Sequence, residues 1–291
     1  MPSEEKGEWP GFRGTDRDNI LKNSDKLASK WAEGKSPEIL WKHKLGEGHA
    51  SASIANGCVY VIDYDEVMKA DSLRCFSFAD GKEIWRRWYS NPLKRNHGMS
   101  RTIPAVNDKY VVTIGPNCHV MCVDAKTGDF LWGIDMVYEY GTTVPGWYTG
   151  QCPLLIGDMA VIAPSGTDVL MLGVDCSTGN IEWKTPNKHK WNMSHSSIMP
   201  MEFYEKKNFV YCFSGGICGI SAESSNIGEL LWESTEFNPK IVAPSPIQLP
   251  DNRILVTAGY GAGSALVKIN EANGKFSAKL LMCYPSAGGI A

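Results

Sequence analysis

The sequence predicts an all-β propeller of four-stranded blades, and three observations carry that prediction. An eleven-residue pattern recurs: "CFSFADGKEIW" at 75–85, "CVDAKTGDFLW" at 122–132 and "GVDCSTGNIEW" at 173–183, each with Gly at its seventh position and Trp at its last. Trp41, Trp85, Trp132, Trp183 and Trp232 follow one another at 44, 47, 51 and 49 residues. Between them lie short β-branched runs separated by turn residues, with little helical periodicity. Four strands per unit at this period is the pattern of a propeller blade. A β-sandwich with ordinary hairpins would not require such regular Trp spacing.

The unit that begins at Arg101 shows how each element follows from its residues. "RTIPAV" (101–106) reads as a first strand and "NDK" as a turn. "YVVTI" (110–114) is a second strand and "GPN" a hairpin. "CHVMCVD" (118–124) is a third strand, "AKTGD" a turn and "FLWGIDM" (130–136) a fourth. The Asp/Thr/Gly cluster forms the tight turn, where Gly is free to take positive φ. Trp on the outer strand is expected to bury its face between adjacent blades, with its indole N–H on a carbonyl. Trp41, Trp85, Trp132, Trp183 and Trp232 are therefore read as blade-docking residues. A short helix is expected near Asn23–Trp31.

Five full units are visible. The fourth turn, in "GISAESSNIGELLW" (219–232), is stretched, and the fifth unit keeps Gly274 but has Ala278 in place of Trp. "PEILWKHKLG" (37–46) reads as a lone fourth strand without its first three, and "CYPSAGGIA" (283–291) as the approach to a further strand. Residues 1–36 are read as an N-terminal segment and 37–291 as one propeller domain. The expectation is a truncated or split part of a larger ring, the other reading being a five-bladed ring with a spare strand.

Composition bounds the function. The 291 residues carry 29 basic and 32 acidic side chains, and no basic stripe supports nucleic-acid binding. No run of apolar residues is long enough for a membrane-spanning helix, and the first residues have no apolar signal-peptide core. Nine Cys without CxxC spacing read as small buried apolar residues rather than as a zinc site or a disulfide framework.

Asp80-Gly81 with Trp85, Asp124 to Gly128 with Trp132, and Asp175 to Gly179 with Trp183 resemble the repeat of the PQQ-like β-propellers, also called the quinoprotein alcohol dehydrogenase-like superfamily. "WPGFRG" (9–14) followed by Arg17 is similar to the start of its exported bacterial members. The resemblance implies a ring of seven or eight blades and a periplasmic or extracellular location. The superfamily holds both PQQ-dependent dehydrogenases and non-enzymatic scaffolds, such as the lipoprotein of the outer-membrane β-barrel assembly machinery, so fold alone does not choose.

Ligands of propellers meet the channel rim, just before each first strand. Aligning the units places His49, His97, Arg101, Gln151, His195 and Ser196 there, either lining a wet channel or binding a small polar or anionic ligand anchored by Arg101. The inter-blade link 137–150 offers Tyr138, Tyr140, Trp147 and Tyr148, either as a partner-contact surface or as a cover for the channel mouth. Quinoprotein chemistry needs a calcium ion on oxygen ligands, a catalytic Asp and a quinone floor. The rim stretches contain no Asp or Glu, and no adjacent Cys pair occurs. The reading is a non-enzymatic scaffold that binds a protein, peptide or glycan, with no cofactor, no metal and no catalytic residue. The alternative is a PQQ- and calcium-dependent alcohol or sugar dehydrogenase. "GYGAG" (259–263) joins two strands and is read as a hairpin, not a nucleotide loop.

Overall fold

The computed structural model describes residues 1–5, 7–22 and 30–284. These form five antiparallel four-stranded sheets, each with its strands in chain order. Blade 1 contains β1 (Ser53–Ala55), β2 (Cys58–Asp65), β3 (Ala70–Ser77) and β4 (Glu83–Ser90). Blade 2 contains β5 (Ala105–Val106), β6 (Tyr110–Ile114), β7 (His119–Asp124) and β8 (Phe130–Asp135). One helix of a single turn, α1 (Met136–Tyr140), follows, capped by the Asp135 carboxylate. Blade 3 contains β9 (Leu154–Ile156), β10 (Met159–Ile162), β11 (Val169–Asp175) and β12 (Ile181–Pro186). Blade 4 contains β13 (Met199–Phe203), β14 (Lys206–Phe213), β15 (Gly216–Ser221) and β16 (Leu230–Ser234). Blade 5 contains β17 (Ile247–Leu249), β18 (Arg253–Ala258), β19 (Gly263–Ala272) and β20 (Lys275–Tyr284). The sequence-predicted strands of the second unit fall on β5–β8, and "GYGAG" is the β18–β19 hairpin.

The core consists of the layers between blades. Val112, Ile114, Trp132 and Leu172 fill the layer between blades 2 and 3, and Trp183, Phe209 and Tyr211 that between blades 3 and 4. Strands β14 and β15 are buried on both faces, which is why they read as nearly continuous apolar runs rather than alternating ones.

The repeat motif couples one blade to the next. Asp124 accepts hydrogen bonds from the backbone of Lys126 and Thr127 at 2.8 and 2.9 Å, and Asp175 does the same for Ser177 and Thr178. This Asx turn brings Gly128 and Gly179 to φ of +72° and +76°. The Trp of the preceding blade lies flat on that glycine. A Cβ at Gly128 would lie 2.6 Å from the Trp85 ring, and one at Gly179 2.8 Å from Trp132. Trp41 meets Gly81 and Trp183 meets Gly228 in the same way. The glycine is therefore required twice, for its φ and for the space above it.

The indole N–H finds the expected carbonyl in two of the five cases. Trp132 Nε1 donates to Cys176 O and Trp41 Nε1 to Phe78 O, both at 2.9 Å. Trp183 turns instead to Met159 Sδ and Trp232 to Asn208 Oδ1. Trp85 Nε1 is buried without a partner, because the corresponding carbonyl, Ala125 O, accepts the Tyr60 hydroxyl.

Two expectations need correction. Residues 37–46 form no strand; with no neighbouring strand to pair with, the segment docks on blade 1 through Trp41 and through His43, stacked 4.4 Å from Phe76. Trp31 is exposed, and the rest of the expected helix, residues 23–29, lies outside the described residues, as do 285–291. Cys283 and Tyr284 belong to β20 instead of a further strand.

The N-terminal segment runs across the inner ends of all five blades. Trp9 bridges Ile54 in blade 1, and Pro10 O accepts from Val106 N in blade 2. Arg17 donates to Pro153 O before blade 3 and to Ile198 O before blade 4, both at 3.0 Å. Phe12 packs on the core shared by blades 4 and 5. Burial lowers the Arg17 pKa to about 10, which leaves it charged at neutral pH, and the two carbonyls take up that charge.

Candidate functional site

The starts of the first strands and the tips of the hairpins between second and third strands share one face of a propeller. A cavity of roughly 650 Å³ opens there. His49, His97, Arg101 and His195, four of the six rim residues expected from sequence, line it. They arrive from the links that precede blades 1, 2 and 4. His49 and His97 are exposed at the mouth, whereas Arg101 and His195 are half-buried below it. Phe12 and Ile103, with buried Cys152, give the cavity an apolar base.

Local hydrogen bonds fix these side chains. Arg101 Nη2 donates to His97 O at 2.7 Å and Asn96 O at 3.1 Å, while its buried Nε has no partner. His49 N donates to Ser100 O at 2.6 Å, and its Nε2 lies 3.0 Å from His97 O. Burial lowers the Arg101 pKa from its ordinary value. His195 is also lowered, first by burial and then by the Arg101 charge, against the opposing effect of a hydrogen bond to the Tyr148 backbone. Both lowering effects favour the neutral imidazole of His195.

Gln151 and Ser196, the other two rim residues, do not line the cavity. Both are fully buried. Gln151 exchanges hydrogen bonds with Ala163 at 2.9 and 3.0 Å, and reaches the Tyr211 hydroxyl of blade 4 at 3.2 Å. It acts as an extra ladder rung. Ser196 N donates to Ser194 Oγ in the loop before blade 4.

The aromatic link divides. Tyr138, on α1, is 88% exposed. Tyr140 is half-buried against the core of blades 2 and 3. The Tyr148 hydroxyl donates to Lys94 O at 2.5 Å. Trp147 alone enters the cavity wall, and it stacks on Tyr260 at 5.8 Å with the rings 5° from parallel. Trp147 and Tyr148 both have positive φ, +64° and +70°, a strained pair held where the link crosses the mouth. Sequence reasoning missed Tyr260 and Phe12. Tyr260 was open to discovery, because its hairpin shares the rim face; nothing in the sequence brings Phe12 under the rim.

Among the described residues, no carboxylate or amide side chain lines the cavity. Among the described residues, no group of three or more His, Cys, Asp or Glu is gathered to hold a metal. A calcium ion requires six to eight oxygen ligands, so these residues do not fit a PQQ–calcium centre, although Arg101 and the rings would tolerate a flat anion.

Blades, repeat turns and rim together define a PQQ-like β-propeller. The family described as outer membrane protein assembly factor BamB matches residues 32–132 and 69–275, and this chain belongs to it. Comparison with curated proteins finds no match. Among solved structures, BamB from Moraxella catarrhalis is similar, with a TM-score of 0.50 and 14% identity over 82% of this chain and 65% of that one. A europium-containing methanol dehydrogenase has a TM-score of 0.53 and 12% identity over 82% of this chain and 52% of that one. The chain therefore spans just under two thirds of the length of the first and about half of the second. Such identities show the fold alone. No helix among the described residues is long and apolar enough to cross a membrane.

Proposed function

We propose that this chain is a non-enzymatic binding and assembly propeller of the cell envelope, whose rim cavity receives an acidic segment of a protein partner. The observation that carries this reading is the donor-rich lining of the cavity: the Arg101 cation and the imidazoles of His49, His97 and His195 face a space that, among the described residues, no carboxylate lines. Below them the wall becomes apolar, with Trp147 and Tyr260 across the mouth. This gradient suits a segment with an apolar side chain beside a carboxylate. The apolar body takes the base and the carboxylate takes the Arg101 guanidinium that lines the cavity. Family membership supports an assembly role and an envelope location, periplasmic or extracellular.

Quinoprotein catalysis is the second reading, favoured by the cationic and aromatic lining and opposed by the lack of oxygen donors. Thermal unfolding separates the two, because binding to the native state raises the midpoint by mass action. With PQQ and calcium, the scaffold reading expects no shift. A clear upward shift would sink it.

A further inference from the structure

A second exposed apolar surface lies on the outer rim, away from the cavity. Outer strands expose unpaired backbone groups, and proteins guard them with charge. Three of the five carry two or more charges, Glu83, Arg86 and Arg87 on β4, Glu182 and Lys184 on β12, and Lys275 and Lys279 on β20, while β16 carries Glu233 alone. Strand β8, "FLWGID", also has a single charge, the terminal Asp135, whose Oδ1 caps α1 and whose Oδ2 lies 3.6 Å from His119 Nε2. The residue after the blade-docking Trp is Arg86, Lys184 and Glu233 in blades 1, 3 and 4, but Gly133 in blade 2.

With no side chain on Gly133, the Phe130 ring lies close to its Cα. A pocket of roughly 380 Å³ beside it is walled by Trp88 and Tyr89 of blade 1 and by Met121, Phe130 and Ile134 of blade 2, with Arg87 and His119 at its edges. Trp88 is 51% and Phe130 56% exposed, and Leu131, Val137 and Tyr138 extend the apolar surface along the same rim. Asp135 closes the C-terminal end of the strand, with exposed Glu139 on the adjoining helix.

We infer that β8 is the docking edge for an extended strand of a partner protein, which pairs with the β8 backbone and seats one large aromatic or aliphatic side chain beside Gly133. Main-chain pairing supplies the affinity and the pocket the specificity. The carboxylates of Asp135 and Glu139 fit a Lys or Arg on that strand, beyond the seated residue, because opposite charges complete the rim.

The test uses a short capped peptide of alternating Thr and Val, with a central Phe and a terminal Lys, carrying a fluorescent label. Anisotropy against the native chain is expected to saturate. Gly133→Lys fills the pocket and guards the edge, and should weaken binding at least about tenfold. Phe130→Lys, at an exposed position, should do the same and decides the matter should the first variant not fold. Lys184→Gly on β12 should leave affinity unchanged. Equal affinity in both guarded variants, or no saturation with the native chain, overturns the proposal. So does native self-association that Gly133→Lys abolishes, since the edge would then serve a second copy.

Discussion

The junctions between blades 1 and 4 and the junction between blades 4 and 5 use the same repeat differently. At the earlier junctions Trp85, Trp132 and Trp183 press on Gly128, Gly179 and Gly228. At the last, Trp232 turns back to Asn208 within its own blade, and Gly274 has open space where a Cβ would go. Contact there runs through Phe276, Ala278 and Leu280 of β20 against the blade 4 core. Both kinds of glycine have positive φ, +72° at Gly128 and +76° at Gly274. The motif thus combines two constraints that the sequence prints identically: a turn conformation present throughout, and a steric seat present only where a Trp lands.

Substitutions can pull those constraints apart. Trp132→Ala should have the largest effect, about 3–5 kcal/mol, through the cavity it leaves between blades 2 and 3; chemical denaturation measures it. Gly128→Ala should destabilise by roughly 3 kcal/mol, combining a left-handed backbone with a clash against the Trp85 ring, whereas Gly274→Ala should cost only about 1 kcal/mol for conformation alone. Equal losses at the two glycines would break the distinction.

A third prediction concerns the junction between blades 1 and 2. Burial raises the Asp71 pKa to about 6, and one of its carboxylate oxygens has no partner. Because the folded-state pKa is raised, the stability it contributes is full below the unfolded value near 4 and is lost as pH rises through 6. Asp71→Asn should abolish a loss on the order of 3 kcal/mol across that window. Stability measured at pH 4 and pH 7 in both proteins checks this. The smallest effect separates two indoles. Trp132→Phe leaves the Cys176 carbonyl with only the weak Cys122 thiol donor at 3.7 Å and should cost about 1 kcal/mol more than Trp85→Phe, where the N–H has no partner to lose.

The fold was legible because its signals are local. Turn glycines, β-branched runs and the Trp period each fix a strand or its neighbour, and the predicted second and third strands coincide with the observed ones. Residues 37–46 misled because a blade-docking Trp does its work without a ladder; Trp41 docks as the others do, from a segment that is not a strand. In the candidate site, His49, His97, Arg101 and His195 converge as the unit alignment implied. Gln151 and Ser196 occupy equivalent positions but turn inward, since a polar side chain beside a strand start can as readily complete a ladder as face a channel. The path of the N-terminal segment was not legible. Phe12 and Arg17 are placed by contacts with residues 136 and 181 positions and more away in the chain, and no local pattern encodes them.

The most direct test of the proposed function is calorimetric titration of the native chain with a capped Asp-Phe-Asp peptide and with its Asn-Phe-Asn counterpart, repeated on Arg101→Gln. The account predicts saturable binding of the acidic peptide, at least about tenfold weaker binding of the amide peptide, and a similar loss in the variant. Equal affinity for the two peptides, or acidic-peptide binding unaffected by Arg101→Gln, would contradict it.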